Sequence, residues 1–132
     1  MATIIDPQLS IQVDRSAQLA SVKVTCDVEF TQFETNSMNL LGIQYTLECH
    51  LLNMEMLYPE TVINFVPQQF PRVRDGARQL ERPVFEAVAP TKDLHLYLFG
   101  KDSLVAELRL SNEDLGTVNV KRTPTTLVDL AA

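Results

Sequence analysis

The 132 residues are a length that one domain can fill, and 45% hydrophobic with 21% charged residues is ordinary globular usage, which excludes a disordered or fibrous chain. A net charge of −6 and a pI near 4.8 exclude a broad basic face, so neither nucleic acid nor an anionic membrane surface is an expected partner. Two cysteines, Cys26 and Cys49, are too few for a disulfide framework or for a zinc site unaided by histidine.

The opening residues Met1 to Gln8 lack the basic and apolar regions of a signal peptide, and no run approaches the ~20 apolar residues of a membrane span. Membrane insertion is not expected, and the expected compartment is the cytoplasm. Leu9 to Val13 is a first strand candidate. Between Ser21 and Thr31, Val22, Val24, Cys26, Val28 and Phe30 alternate without a break with Lys23, Thr25, Asp27, Glu29 and Thr31. A period of two sends successive side chains to opposite faces, so this segment reads as a strand with one face on a core and one in water. After a polar connection from Glu34 to Leu41 the pattern returns, with Ile43, Tyr45, Leu47, Cys49 and Leu51 on one side and Gln44, Thr46, Glu48 and His50 on the other. Paired as a hairpin, the two strands set Cys26 against Cys49 and Phe30 against Tyr45, at the cost of placing Asp27 beside Glu48. In an immunoglobulin-like topology they lie in opposite sheets instead.

Thr61 to Val66 and Pro83 to Val88 are the next strand candidates. The stretch from Pro67 to Pro83 between them holds Arg72, Arg74, Arg78 and Arg82, four of the seven arginines; set against Asp75 and Glu81 they give it +2, leaving −8 for the remainder. Guanidinium groups suit bidentate contacts to carboxylates and phosphates, so these four arginines are a candidate docking site for an acidic or phosphorylated protein partner. The structural alternative is a solvated connection that pairs with the chain's own acidic surface. With Asp75 as a cap, at most one short helical turn is expected, near 75–82.

From Asp93 to Leu110, Leu94, Leu96 and Leu98 alternate before Gly100-Lys101-Asp102, and Leu104, Ala106, Leu108 and Leu110 alternate after it. Pairing Leu98 with Leu104 predicts a hairpin that also sets Leu94 on Leu108, His95 on Glu107 and Asp93 on Arg109. Tyr97, Phe99 and Val105 then face outward. They are candidate contacts for a protein partner or a second copy, unless chain such as Leu127 to Leu130 covers them. Gly116 to Val120 is the last strand candidate, and 123–132 reads as a mobile tail.

Alternation puts Cys49 and His50 on opposite faces of one strand, so they cannot grip one ion, and no metal or cofactor is expected. His95 beside Glu107 would be half of a base-and-orienter pair, yet the pairing brings it no serine or cysteine. The chain also lacks a G-x-S-x-G elbow, a P-loop and a G-x-G-x-x-G turn, so it is not expected to be an enzyme. Asp93, Asn112, Glu113 and Asp114 fall at the open end of the same hairpin, where four oxygen-bearing side chains could hold calcium or a small ligand.

About eight strands, punctuated by Pro59, Pro67, Pro71, Pro83 and Pro90 with no amphipathic helix of ordinary length between them, predict one all-β domain over 1–132. The expected architecture is an antiparallel β-sandwich of about seven or eight strands, and in pattern the alternation resembles immunoglobulin-like and C2-like sandwiches. The expected function is a non-enzymatic binding or interaction module that self-associates or docks a protein. The alternative is a calcium-dependent or small-ligand-binding sandwich.

Overall fold

The alternating segment around Cys26 forms β2 (Leu19–Glu29), which buries Ala20, Val22, Val24, Cys26 and Val28 and turns its charged residues outward. We describe residues 1–96 and 100–130 in a computed structural model; Tyr97, Leu98 and Phe99 lie outside the described residues. In the first sheet β2 lies between β1 (Thr3–Asp14) on one side and β6 (Leu80–Glu81) and β7 (Val84–Pro90) on the other. In the second, β3 (Tyr45–Asn53) and β8 (Asp102–Asn112) form the centre. They are flanked by β4 (Glu60–Asn64) and β5 (Gln68–Phe70) along β3, and by β9 (Gly116–Arg122) and β10 (Thr126–Val128) along β8. All pairings among the described residues are antiparallel, and the inner faces of the two sheets meet in one core: an all-β sandwich.

Every outer ribbon is interrupted at a proline. Pro67 separates β4 from β5, Pro83 separates β6 from β7, Pro124 separates β9 from β10, and Asp6-Pro7 makes a bulge in β1, where pairing jumps from Ile5 to Gln8 and Asp6 adopts a φ of 50°. Proline has no N–H for a ladder, so these breaks fall only on edges, and the short edge segments they leave resist addition of a foreign strand.

The hairpin expected between the segments around Cys26 and Cys49 does not form, and the opposite-sheet alternative holds. β2 is already paired on both sides, as is β3, so neither has an edge left for the other. The hairpin expected over Asp93 to Leu110 is also replaced. β8 pairs with all nine residues of β3, setting Leu47 on Leu110, Cys49 on Leu108 and Leu51 on Ala106, with Glu48 opposite Arg109. That non-local match sets apolar on apolar at Leu47, Cys49 and Leu51 on the inward face and is nine residue pairs long. Leu94 ends a short helix, α2 (Thr91–Leu94), and is fully buried. The strands expected at 9–13, 61–66, 83–88 and 116–120 fall within or against β1, β4, β7 and β9.

Two further findings concern the stretch 75–82 and the C-terminal residues. Residues 75–82 form no helix: Asp75 adopts a left-handed φ of 60°, Gly76 N donates to Val73 O, and the stretch ends in β6. Thr123 exchanges hydrogen bonds with Ala106 through both its backbone N and its Oγ1, β10 pairs with β8, and Leu130 is buried, so 123–130 is part of the sandwich instead of a mobile tail.

The polar connection after β2 is a helix, α1 (Gln32–Leu41). Thr31 caps it through Oγ1, which accepts from Glu34 N, while the Glu34 carboxylate accepts from Thr31 N, and Gly42 closes it at a φ of 69°. Thr31→Ala is expected to destabilise the protein by about 1 kcal/mol, read as a lower urea midpoint at unchanged slope.

Candidate functional site

An α-helix laid on a sandwich normally turns its apolar residues inward, and α1 does so poorly. It buries only Thr35 and Met38. Phe33, Leu40 and Leu41 stand 80%, 81% and 73% exposed. Phe33 and Leu40 are seven residues apart, so they share one face of the helix. Burial of such side chains is worth ~1.5–3 kcal/mol each, a gain that the isolated chain leaves unused here.

The arginine-rich connection lies along this helix. Asn39 Oδ1 accepts from Ala77 N at 3.0 Å, Gln79 Nε2 donates to Gln32 Oε1 at 2.5 Å, and Phe30 N donates to Gln79 O at 2.7 Å. Between the end of α1 and the connection opens a cleft of about 720 Å³, lined by Leu40, Leu41, Ile43, Pro71, Arg72 and Arg74 among others. The four arginines differ in state. Arg72 lies 5.1 Å over the Phe70 ring, donates to Gln68 Oε1 at 2.8 Å and approaches the buried Glu81 at 3.6 Å. Arg82 approaches Asp27 at 3.6 Å. Arg74 and Arg78 are exposed and form no ion pair among the described residues, although Asp75 also lines the cleft. The structure therefore joins part of the expected arginine patch to an apolar helix face that the sequence reading missed. The signals for the helix were present: Thr31-x-x-Glu34 has capping-box spacing, and Gly42 sits where a helix ends.

Glu34 anchors this end of the sandwich. Its carboxylate accepts from Ala2 N at 2.8 Å, Thr31 N and Oγ1 at 2.9 Å and Tyr45 Oη at 3.1 Å. Burial alone would raise its titration point, but these hydrogen bonds outweigh it and hold the carboxyl below the ordinary 4.5. A carboxyl lowered by folding stabilises the native state above its unfolded value, and that contribution is lost as pH falls through the folded one. Unfolding followed below pH 4.5 is thus expected to show a loss of stability that Glu34→Gln partly removes.

The other expected site residues are dispersed. Asp93 belongs to α2, whose Leu94 carbonyl meets Asn53 at the β3 end, near the start of β8; Asn112 closes β8 at its other end, about 33 Å away at ~3.3 Å per residue. Asn112 Oδ1 accepts from Asp114 N and Leu115 N, so it shapes the β8–β9 turn, with Glu113 and Asp114 exposed at its tip. The calcium grouping therefore does not assemble. Among the described residues no three His, Cys, Asp or Glu side chains are placed to hold a metal ion. Val105 lies opposite Leu52 and both are buried, which removes it from any docking face; Tyr97 and Phe99 fall outside the described residues.

His95 has a different partner from the one expected. Glu107 pairs with Arg122 at 2.9 Å and Arg109 at 3.7 Å, while His95 Nδ1 meets the buried Asp102 at 2.5 Å. Asp102 Oδ1 also accepts from Asn53 Nδ2 at 2.9 Å and Leu96 N at 2.8 Å. Among the described residues no hydroxyl or thiol is hydrogen-bonded to this imidazole. Cys26 and Cys49 face the core from opposite sheets as free thiols. Burial first, then the Asp27 charge at Cys26 and the neighbouring Cys26 at Cys49, pushes both up to about 12, where a thiol stays protonated and unreactive.

No family model and no curated protein matches the chain. A crystal structure of a Bordetella pertussis protein provisionally named ApaA is similar over 97% of this chain and 90% of that one, at 13% sequence identity and a TM-score of 0.40. No helix among the described residues is long and apolar enough to cross a membrane.

Proposed function

We propose that this chain is a non-enzymatic docking module whose α1 face and arginine connection receive an acidic, partly apolar segment of a protein partner. The observation that carries the reading is a conjunction: Phe33, Leu40 and Leu41 are presented to water on a capped helix, and Arg74 and Arg78 beside them lack acidic partners among the described residues. An apolar patch beside polar cationic groups is the composition of a recognition surface, in which the apolar part supplies affinity and the guanidinium groups supply orientation. The hydrogen bonds from Ala77 and Gln79 to α1 hold both halves together before any partner arrives, which lowers the entropic cost of binding.

The test uses labelled short peptides that combine glutamates with leucine and tyrosine, followed by fluorescence anisotropy. Binding is expected to weaken by about tenfold or more, some 1.4 kcal/mol, in an Arg74→Glu, Arg78→Glu variant, and comparably in Leu40→Ser. Absence of binding, or binding indifferent to both variants, would remove the proposal.

A further inference from the structure

We infer that the segment received by this cleft is the loop 54–59 of a second copy of the same chain, so that copies associate head to tail. The inference rests on the docking role proposed above and names its partner. Between β3 and β4 the chain runs Met54-Glu55-Met56-Leu57-Tyr58-Pro59 and then Glu60, with Leu57 90% and Tyr58 79% exposed and Met56 exposed beside them. Glu55 and Glu60 flank these apolar residues and form no ion pair among the described residues. The loop thus has chemistry complementary to this surface: two carboxylates for Arg74 in the cleft and Arg78 farther along the connection, and large apolar groups for Leu40 and Leu41.

Geometry directs the contact to another molecule. β3 begins at Tyr45, directly after the cleft residues Ile43 and Gln44, and ends at Asn53, directly before the loop. The nine residues of β3 set loop and cleft about 30 Å apart at opposite ends of the sandwich, so a chain cannot fill its own cleft. The base of the loop is fixed: Met54 N donates to Ser103 O at 2.9 Å and Glu55 N to Asn53 Oδ1 at 3.0 Å, so a shaped projection is presented and little order has to be gained on docking. Two copies of net charge −6 repel at long range, but at physiological salt that repulsion fades beyond ~8 Å, whereas the local contact sets two arginines against two glutamates. Because the two surfaces differ, each joined pair still offers one free cleft and one free loop. Such a contact propagates into a ring or an open filament and does not stop at a dimer.

Size-exclusion chromatography with light scattering decides it. The unaltered protein is expected to show species larger than a dimer that grow with concentration. A loop variant, Leu57→Ser with Tyr58→Ser, and a cleft variant, Arg74→Glu with Arg78→Glu, are each expected to be monomeric while melting as cooperatively as the unaltered protein, since every altered side chain is exposed. Mixed together, they retain one competent cleft and one competent loop and are expected to form a one-to-one pair and nothing larger. If either variant fails to melt cooperatively, Glu55→Lys with Glu60→Lys replaces the loop variant and Leu40→Ser replaces the cleft variant. A monomeric unaltered protein, or variants that assemble as it does, would overturn the inference. If the unaltered protein is monomeric yet binds the acidic peptides through Arg74 and Arg78, only the self-partner is wrong; if it binds neither, the docking role falls with it.

Discussion

Phe30→Ala is expected to cost about 3–5 kcal/mol, as large aromatic truncations in a closed core do. The ring is buried, 5.1 Å from Tyr45 edge-on and 5.9 Å from Phe70, so it joins the end of β2 to β3 and β5 across the sandwich. Phe30 also stands directly before the Thr31 cap, and its N–H holds Gln79 of the arginine connection at 2.7 Å. Removing the ring therefore loosens the core where α1 and the connection are attached. With a urea slope of about 2 kcal/mol per molar, the midpoint should fall by roughly 2 M. A loss below about 1 kcal/mol would mean that this end of the core collapses to fill the space, and that the docking face is held by its hydrogen bonds alone.

Asp102→Ala is expected to cost a similar amount, about 3–5 kcal/mol, for a different reason. Asp102 is wholly buried and is the acceptor on which His95 Nδ1, Asn53 Nδ2 and Leu96 N converge. Asn53 keeps the Leu94 carbonyl when Asp102 is truncated, but Leu96 N and the half-buried imidazole lose an acceptor that is itself wholly buried. The carboxylate thus pins the crossing from α2 to β8. Asp102→Asn preserves an oxygen for Asn53 and Leu96 and presents an amide to His95, so its cost should be nearer 1–2 kcal/mol. Thermal or urea unfolding of the pair separates the two cases: equal losses would show that charge matters here and the hydrogen-bond geometry does not.

The sandwich was legible because β2 and β3 bury one face each, and a period of two cannot be satisfied by a helix. Pairing was less legible. Leu94, Leu96 and Leu98 alternate like a strand, yet Pro90 and Thr91 start a helical turn there and Leu94 is buried by its place above Asn53. Alternation states which face a residue takes and says nothing about which strand lies beside it, so β8 could be assigned its face but not its partner. The same limit hid Asp102: in sequence it closes a Gly-Lys-Asp turn, and only the packing of β3 against β8 makes it a buried acceptor.

Half of the candidate site could be read in advance. Four clustered arginines in an acidic chain form a charge pattern, and charge patterns survive without knowledge of the fold. Phe33, Leu40 and Leu41 could not be found by the same route. Apolar residues that face water follow no burial period, so the segment looked like a polar connection despite its capping residues. What the periodicity failed to explain is the feature on which the proposed docking role depends.

Binding at the α1 face and the arginine connection is checked by amide chemical-shift mapping of the isotope-labelled protein, titrated with an unlabelled acidic peptide that carries leucine and tyrosine. The predicted result is a set of perturbations at residues 32–44 and 69–79, joined only by those of the loop 54–60 that the peptide displaces, saturating with peptide and absent in the Arg74→Glu, Arg78→Glu variant. Perturbations centred on the outer face of β7, on the β8–β9 turn, or nowhere at all would contradict it.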